Sequence, residues 1–194
     1  MSQTRLNYIN SLLGRLGSLR FLSIPNASDQ IFELYCYFRK VEEFINRGKQ
    51  PQSKVITHGI FSAHAKPGNP RSSSYFTLID PSGDARDLIL NGQFEGVSEI
   101  YHSPDLALTK CDSDEIVSIY ECKNHSSPLG LGVYREFIGD CEEMGLVQKA
   151  NKSRIKDLID SYPELRPCIY TSAAANSVHK EKMKTYGFTV VDCF

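Results

Sequence analysis

Ser103-Pro104-Asp105-Leu106-Ala107-Leu108 and Ile119-Tyr120-Glu121-Cys122-Lys123-Asn124 are the strings on which the fold of this chain turns. Each sets an acidic side chain where an apolar, strand-forming run would otherwise continue. Val117, Ile119, Tyr120 and Cys122 favour extended backbone, and side chains at i and i+2 of a strand share a face. Glu121 and Lys123 are therefore predicted to project together. The run 105–108 predicts a short neighbouring strand, joined to the second by the polar turn 110–115, a connection suited to an antiparallel hairpin. That pairing would stand Asp105 beside Glu121.

Side-by-side carboxylates repel unless something positive lies between them, and a hard divalent cation with oxygen ligands is the usual solution. Lys123 adds an ammonium group at the rim. These residue types suit hydrolysis of a phosphodiester, in which a metal polarises the phosphoryl oxygen and lowers the pKa of its water while the lysine orients that water or stabilises developing charge. The same residues also fit a turn aspartate after Pro104 and a solvated ion pair of little worth. The apolar company of Leu106, Leu108, Val117 and Ile119 favours central strands.

Pro104-Asp105 followed by Glu121-Cys122-Lys123-Asn124 resembles the PD-(D/E)xK nuclease superfamily, and the ECKN string is similar to those of Holliday-junction resolvases and restriction enzymes. The resemblance runs, as an order of elements, from Asp29 to the C-terminus. It implies a restriction-endonuclease-like α/β fold, a three-layer sandwich with a central mixed β-sheet flanked by helices. It implies Asp105 and Glu121 as metal ligands, the Cys122 main-chain carbonyl as a further ligand, Lys123 as the catalytic lysine, and Mg²⁺, or Mn²⁺ in its place, as the cofactor. Many members carry a glutamate on the first core helix that points at the metal; Glu33 is the candidate here, ahead of Glu42 and Glu43. The helix after the ExK strand often presents polar residues to the site, which makes Arg135 a candidate phosphate contact, with Asn124 and His102 as further substrate-binding candidates. Plainer roles stand beside these: an acid favoured by a helix N-terminus for Glu33, a surface arginine near Glu136 and Asp140 for Arg135, and a hydrogen-bonded structural histidine for His102.

With 194 residues, 41% of them apolar, the chain is expected to form one domain with its own core. The domain is expected to span residues 25–194, with residues 1–24 as an N-terminal helical extension that caps the core or docks another chain. Six cysteines show no CxxC spacing and five histidines no HExxH, which predicts packed, reduced thiols rather than zinc or disulfides. With no long apolar run and no secretory leader, the expectation is a cytoplasmic protein. A net charge of −1 argues against bulk electrostatic binding of nucleic acid. Local basic clusters occur at Lys149, Lys152, Arg154 and Lys156, and at Lys180, Lys182 and Lys184. Each is read first as a solvated helix face.

Apolar periodicity predicts helices over residues 2–20, 29–46, 134–146, 149–161 and 177–186. Strands are expected over residues 54–63, 74–79, 168–172 and 188–191, and residues 86–96 fit either a strand or a short helix. Residues 66–73, with Lys66 and Arg71, have the composition of a substrate-contacting loop or of a plain hairpin connection. The functional expectation is a metal-dependent nuclease acting on DNA, with RNA the other substrate, in defence, restriction or repair. It would work as a homodimer or as a subunit of a multi-protein complex. The alternative is a catalytically inactive subunit that keeps the fold as a nucleic-acid-binding or protein-interaction module.

Overall fold

The computed structural model describes residues 2–17, 20–21, 28–56, 58–63, 66–146 and 165–193. The helix expected over residues 149–161, with its basic cluster, lies outside them. A seven-stranded mixed sheet forms the centre, and four helices are described. In chain order come α1 (Ser2–Arg15), β1 (Arg20–Phe21), α2 (Ser28–Asn46), β2 (Gln50–Lys54), β3 (Ile60–Phe61), β4 (Tyr75–Ile79) and β5 (Ala85–Leu90). They are followed by β6 (Phe94–Glu95), β7 (Tyr101–His102), β8 (Leu106–Lys110), β9 (Ile116–Lys123), α3 (Leu131–Glu143), β10 (Cys168–Thr171), α4 (Ser177–Thr185) and β11 (Thr189–Asp192).

Across the sheet the order is β11-β10-β9-β8-β5-β4-β2. The strands from β2 to β9 pair antiparallel, whereas β10 and β11 run parallel to β9. The switch follows from the connections. A tight turn reverses the chain between β8 and β9, but α3 and α4 carry it back across the sheet, so each following strand starts at the same end. Side chains alternate accordingly. Leu88, Leu90, Leu106, Leu108, Tyr120 and Cys122 pack in one core with α1 and α2. Ile89, Ala107, Ile119 and Ile169 pack in a second with Tyr134, Phe137 and Cys141 of α3 and Met183 of α4.

The buried surface of α2 is wider than one stripe, because the helix is covered on two sides. Ile31, Leu34, Phe38 and Val41 are buried, and so are Phe32, Cys36, Tyr37 and Phe44. The sheet takes one side; Ile9, Leu12 and Leu13 of α1 join the same core. The Tyr37 hydroxyl donates to the Leu88 carbonyl at 2.9 Å and accepts from the Phe76 N–H at 3.1 Å, so a phenol buried in the core keeps its polar atom satisfied. Gly48, at φ +84°, ends the helix in the left-handed conformation that glycine adopts without steric cost.

Residues 1–24 were expected to cap the core or dock a partner; the described part is a cap. Arg5 is 6% exposed, lies 4.6 Å over the Phe32 ring and donates from Nη2 to the Cys193 carbonyl at 3.3 Å. The helix ends at Arg15, short of residue 20, ahead of Gly17 at φ +124°. The strand expected over 54–63 is also broken. Val55, His58 and Gly59 have positive φ and turn the chain, leaving β2 to end at Lys54 and β3 with only Ile60 and Phe61.

Candidate metal centre

Register builds the site. Leu106 pairs with Tyr120 and Ala107 with Ile119, which sets Asp105 opposite Glu121 where β8 begins and β9 nears its end. Neighbours across an antiparallel pair point to the same face. Here that face is the one holding Ala107 and Ile119, covered by α3. Asp105 is fixed by a hydrogen bond from the Cys122 N–H to its Oδ2 at 2.6 Å. Lys123, two residues beyond Glu121 on the same face, makes an ion pair with it. The Cys122 side chain points the other way, into the core shared with α2.

Glu33 arrives from α2. Asn91 Nδ2 donates to Glu33 Oε2 at 3.1 Å, and the Asn91 N–H donates to the Asp105 carbonyl at 2.8 Å. Asn91 follows β5, whose last residue Leu90 pairs with Leu106, so it stands at the register position beside Asp105. From the other side, α3 brings Glu136 and Asp140 close enough for their charges to act on Glu121. His102 Nδ1 lies 3.7 Å from Asp140 Oδ1 and Nε2 lies 3.8 Å from Glu143 Oε2, both long for a hydrogen bond.

The charges are in conflict. Burial pushes the Asp105 carboxyl well above the usual carboxylate range, and the neighbouring Glu121 and Glu33 push it further, against the Cys122 N–H and Lys123. Burial also raises Glu121, opposed by Lys123 and reinforced by Asp140 and Glu136. Glu33 is raised by burial too, with the Asn91 hydrogen bond acting against it and Asp29 and Glu121 adding to it. Burial alone would lower the Lys123 amine, but Glu121 and Asp105 hold it above its ordinary value. Among the described residues the ammonium group of Lys123 faces this set of half-buried acids. By donor type alone, carboxylate oxygens without sulfur or imidazole are what a hard divalent ion such as Mg²⁺ or Mn²⁺ takes.

The comparisons add no relative: the chain matches no known protein family, no curated protein and no solved structure. The argument about function therefore rests on geometry.

Of the residues singled out in the sequence, Asp105, Glu121, Lys123 and Glu33 come together. Asn124 is turned to another task, donating to Ser28 Oγ and Asp29 Oδ1, each at 2.9 Å, at the start of α2. Arg135 is exposed on α3, and Glu42 accepts from the Tyr8 hydroxyl at 2.6 Å and pairs with Arg15 on the side of α2 that meets α1. Glu43 pairs with the buried Lys40. Sequence reasoning missed Asn91 as a site residue and took Glu136 and Asp140 only as company for Arg135. Their separation of four residues was a signal, since it puts both carboxylates on one helix face.

Among the described residues, the group whose possible ligand atoms all lie within 4.8 Å of one another is a different one, Asp87, Cys111 and Asp112; the oxygens of Asp105, Glu121 and Glu33 are not drawn that close. Around Asp87 the positive charge is already supplied. Asp87 accepts from Thr77 Oγ1 at 2.7 Å, the Asp112 N–H at 3.0 Å and Arg71 Nη2 at 3.3 Å, while Arg71 also binds Asp114 and the Ser113 carbonyl. Arg71 thus clamps residues 66–73 onto the β8–β9 turn, at the far end of β8 from Asp105.

Proposed function

We propose that this chain is a metal-dependent nuclease of the PD-(D/E)xK type, hydrolysing phosphodiester bonds with DNA as its substrate. The observation that carries the reading is the meeting of Asp105, Glu121 and Glu33 from three separate elements beside Lys123. A half-buried cluster of like charges is costly, and a bound cation would offset that cost. The order of elements also supports a restriction-endonuclease-like fold: a core helix, antiparallel strands bearing Asp105 and Glu121, a crossover helix, then a parallel strand.

In this mechanism Asp105 and Glu121, with Glu33 and the Cys122 carbonyl, would hold Mg²⁺. The chemistry that such an ion supplies when bound is polarisation of a phosphoryl oxygen and a lowered pKa for its water. Lys123 then exchanges part of its ion pair with Glu121 for the attacking water or the developing phosphate charge. The hydrogen bond from the Cys122 N–H holds the Asp105 carboxylate in place. Cutting both strands of a duplex needs two such sites, which a homodimer or a larger complex supplies.

The rival is a non-catalytic subunit with the same fold, and one observation favours it: the ammonium of Lys123 is already paired with Glu121, in a chain whose net charge is −1. Incubation of the purified chain with circular and linear duplex DNA and with single-stranded RNA, in Mg²⁺, Mn²⁺ or EDTA, separates the two. Cutting that EDTA stops and Asp105→Ala abolishes is the expected result. Nucleic acid bound but uncut in every metal condition would leave the rival standing.

A further inference from the structure

Asn91 has no role in the proposed mechanism, yet its bonds reach two of the site's acids and the loop 66–73. Its side-chain amide donates to Glu33 on α2 at 3.1 Å, its N–H donates to the Asp105 carbonyl at 2.8 Å, and its carbonyl accepts from the Gly68 N–H at 3.1 Å. Gly68 in turn accepts from the Gln93 N–H at 2.8 Å, so the loop 66–73 is stitched to the chain on either side of Gly92. Asn91 is 7% exposed and adopts φ +51°, a left-handed conformation that asparagine tolerates better than most residues with a side chain. A buried residue held in a sparsely populated conformation marks a place where the surroundings dictate geometry.

We propose that Asn91 is a positioning residue for the metal centre: its side-chain amide fixes the Glu33 carboxylate while its N–H fixes the Asp105 backbone, so that one residue sets the place of two of the centre's acids. This deepens the nuclease reading and rests on it. The residue type fits the task. A lysine or arginine at this position would neutralise Glu33 and compete with the cation. An apolar side chain would leave a half-buried carboxylate partly desolvated and without this donor. The amide donates to one oxygen and leaves the other for a ligand bond. Such outer partners of ligating carboxylates typically change metal affinity about 10-fold to 100-fold when removed. The same residue also couples the loop 66–73 to the centre through its carbonyl.

Calorimetric titration of Mn²⁺ into the full chain tests this, using Asn91→Gly, Asn91→Asp, Glu33→Gln and the double variant Asn91→Gly/Glu33→Gln. Glycine adopts the left-handed conformation freely, so Asn91→Gly removes the amide without adding backbone strain; Asn91→Asp keeps the shape and removes the donor. The expected result is Mn²⁺ binding about tenfold weaker in both Asn91 variants, with an unchanged melting transition in Asn91→Gly, and no further loss when Asn91→Gly is added to Glu33→Gln. Wild-type affinity in Asn91→Gly, or a loss that adds in full to that of Glu33→Gln, would overturn the role of Asn91 while leaving the metal centre in place. A wild-type chain that takes up no Mn²⁺ would overturn the metal centre itself, and this inference with it.

Discussion

Asp105 Oδ2 accepts a hydrogen bond from the Cys122 N–H at 2.6 Å, tying the first acid of the site to the strand that carries the second. The bond means that Asp105 does structural work as well as chemistry, and two substitutions separate the tasks. Asn at 105 keeps an acceptor for the Cys122 N–H but is a poor ligand; Ala leaves that N–H without its partner. Both variants are expected to lose divalent-ion-dependent cutting. Only Asp105→Ala should lose stability relative to Asp105→Asn, by about 1 to 3 kcal/mol in denaturant unfolding. Equal stabilities would show that the bond contributes nothing to the fold.

Lys123 pairs with Glu121 at the rim of the centre. If its role is to orient water or neutralise developing charge, Lys123→Ala lowers the cutting rate by about 10²-fold to 10⁴-fold, the usual contribution of a group that acts in the transition state. Mn²⁺ affinity should hold or increase, because Glu121 loses a competing cation. A variant that cuts at the wild-type rate removes Lys123 from the mechanism, and one that no longer binds Mn²⁺ shows that the lysine supports the ligands instead.

Arg71 belongs to the other end of the sheet. Asp87 is fully buried beneath it, and a buried carboxylate that loses its cation is left with desolvation and no return. Because Arg71 itself is partly exposed, Arg71→Leu is expected to cost about 2 to 3 kcal/mol in denaturant unfolding rather than the larger losses of fully buried pairs. Mn²⁺ binding at the Asp105 centre should not change. A gain of Mn²⁺ binding in this variant would point to Asp87, Cys111 and Asp112 as a metal site once Arg71 no longer competes for Asp87.

The central hairpin was legible in the sequence because alternation within β8 and β9 and a polar turn between them fix both pairing and face. Asp105, Glu121 and Lys123 follow from that pattern alone. Glu33 followed only from the resemblance, since nothing in the run Ile31-Phe32-Glu33-Leu34 says which side of α2 meets the sheet. Asn91 was hidden for a different reason: its position beside Asp105 depends on the β5–β8 register, a contact between strands distant in sequence. Arg71 was open to two readings. Its placement in a Gly-, Pro- and Ser-rich loop fitted a substrate contact or a plain hairpin connection equally, and only the fold shows that a buried aspartate on β5 claims its guanidinium.

Packing makes a claim about thiol chemistry. Cys36, Cys122, Cys141, Cys168 and Cys193 are buried and Cys111 is half-buried, and all are free thiols. Burial pushes Cys122 and Cys168 up to about 12 and raises Cys36 and Cys141 well above the ordinary thiol range. Since the thiolate is the nucleophile, a disulfide reagent at pH about 8 should find no more than one reactive thiol in the native chain, Cys111, and all six after unfolding. Rapid reaction of two or more native thiols would show that the core around Cys122 opens readily.

The acids of the centre also predict how stability responds to pH. Burial first, then mutual repulsion, raises the Asp105 carboxyl above its ordinary value, so the folded chain holds a proton there that the unfolded chain would release. That contribution to stability is complete below the unfolded pKa of about 4 and is lost as pH rises through the raised folded value. Glu42 has the opposite sign, because the Tyr8 hydroxyl and Arg15 lower its pKa, so total stability mixes both trends. The difference between Asp105→Asn and wild type isolates the centre. In EDTA the variant should gain on wild type as pH rises from about 4, levelling off above the folded pKa. Saturating Mn²⁺ should reverse the order above neutral pH, since a cation at 100 times its dissociation constant stabilises the wild type by about 2.7 kcal/mol and has little hold on the variant. A difference that is flat from acid to alkaline pH in EDTA, and unmoved by Mn²⁺, would mean that Asp105 sits in no charge conflict and that the centre needs no cation.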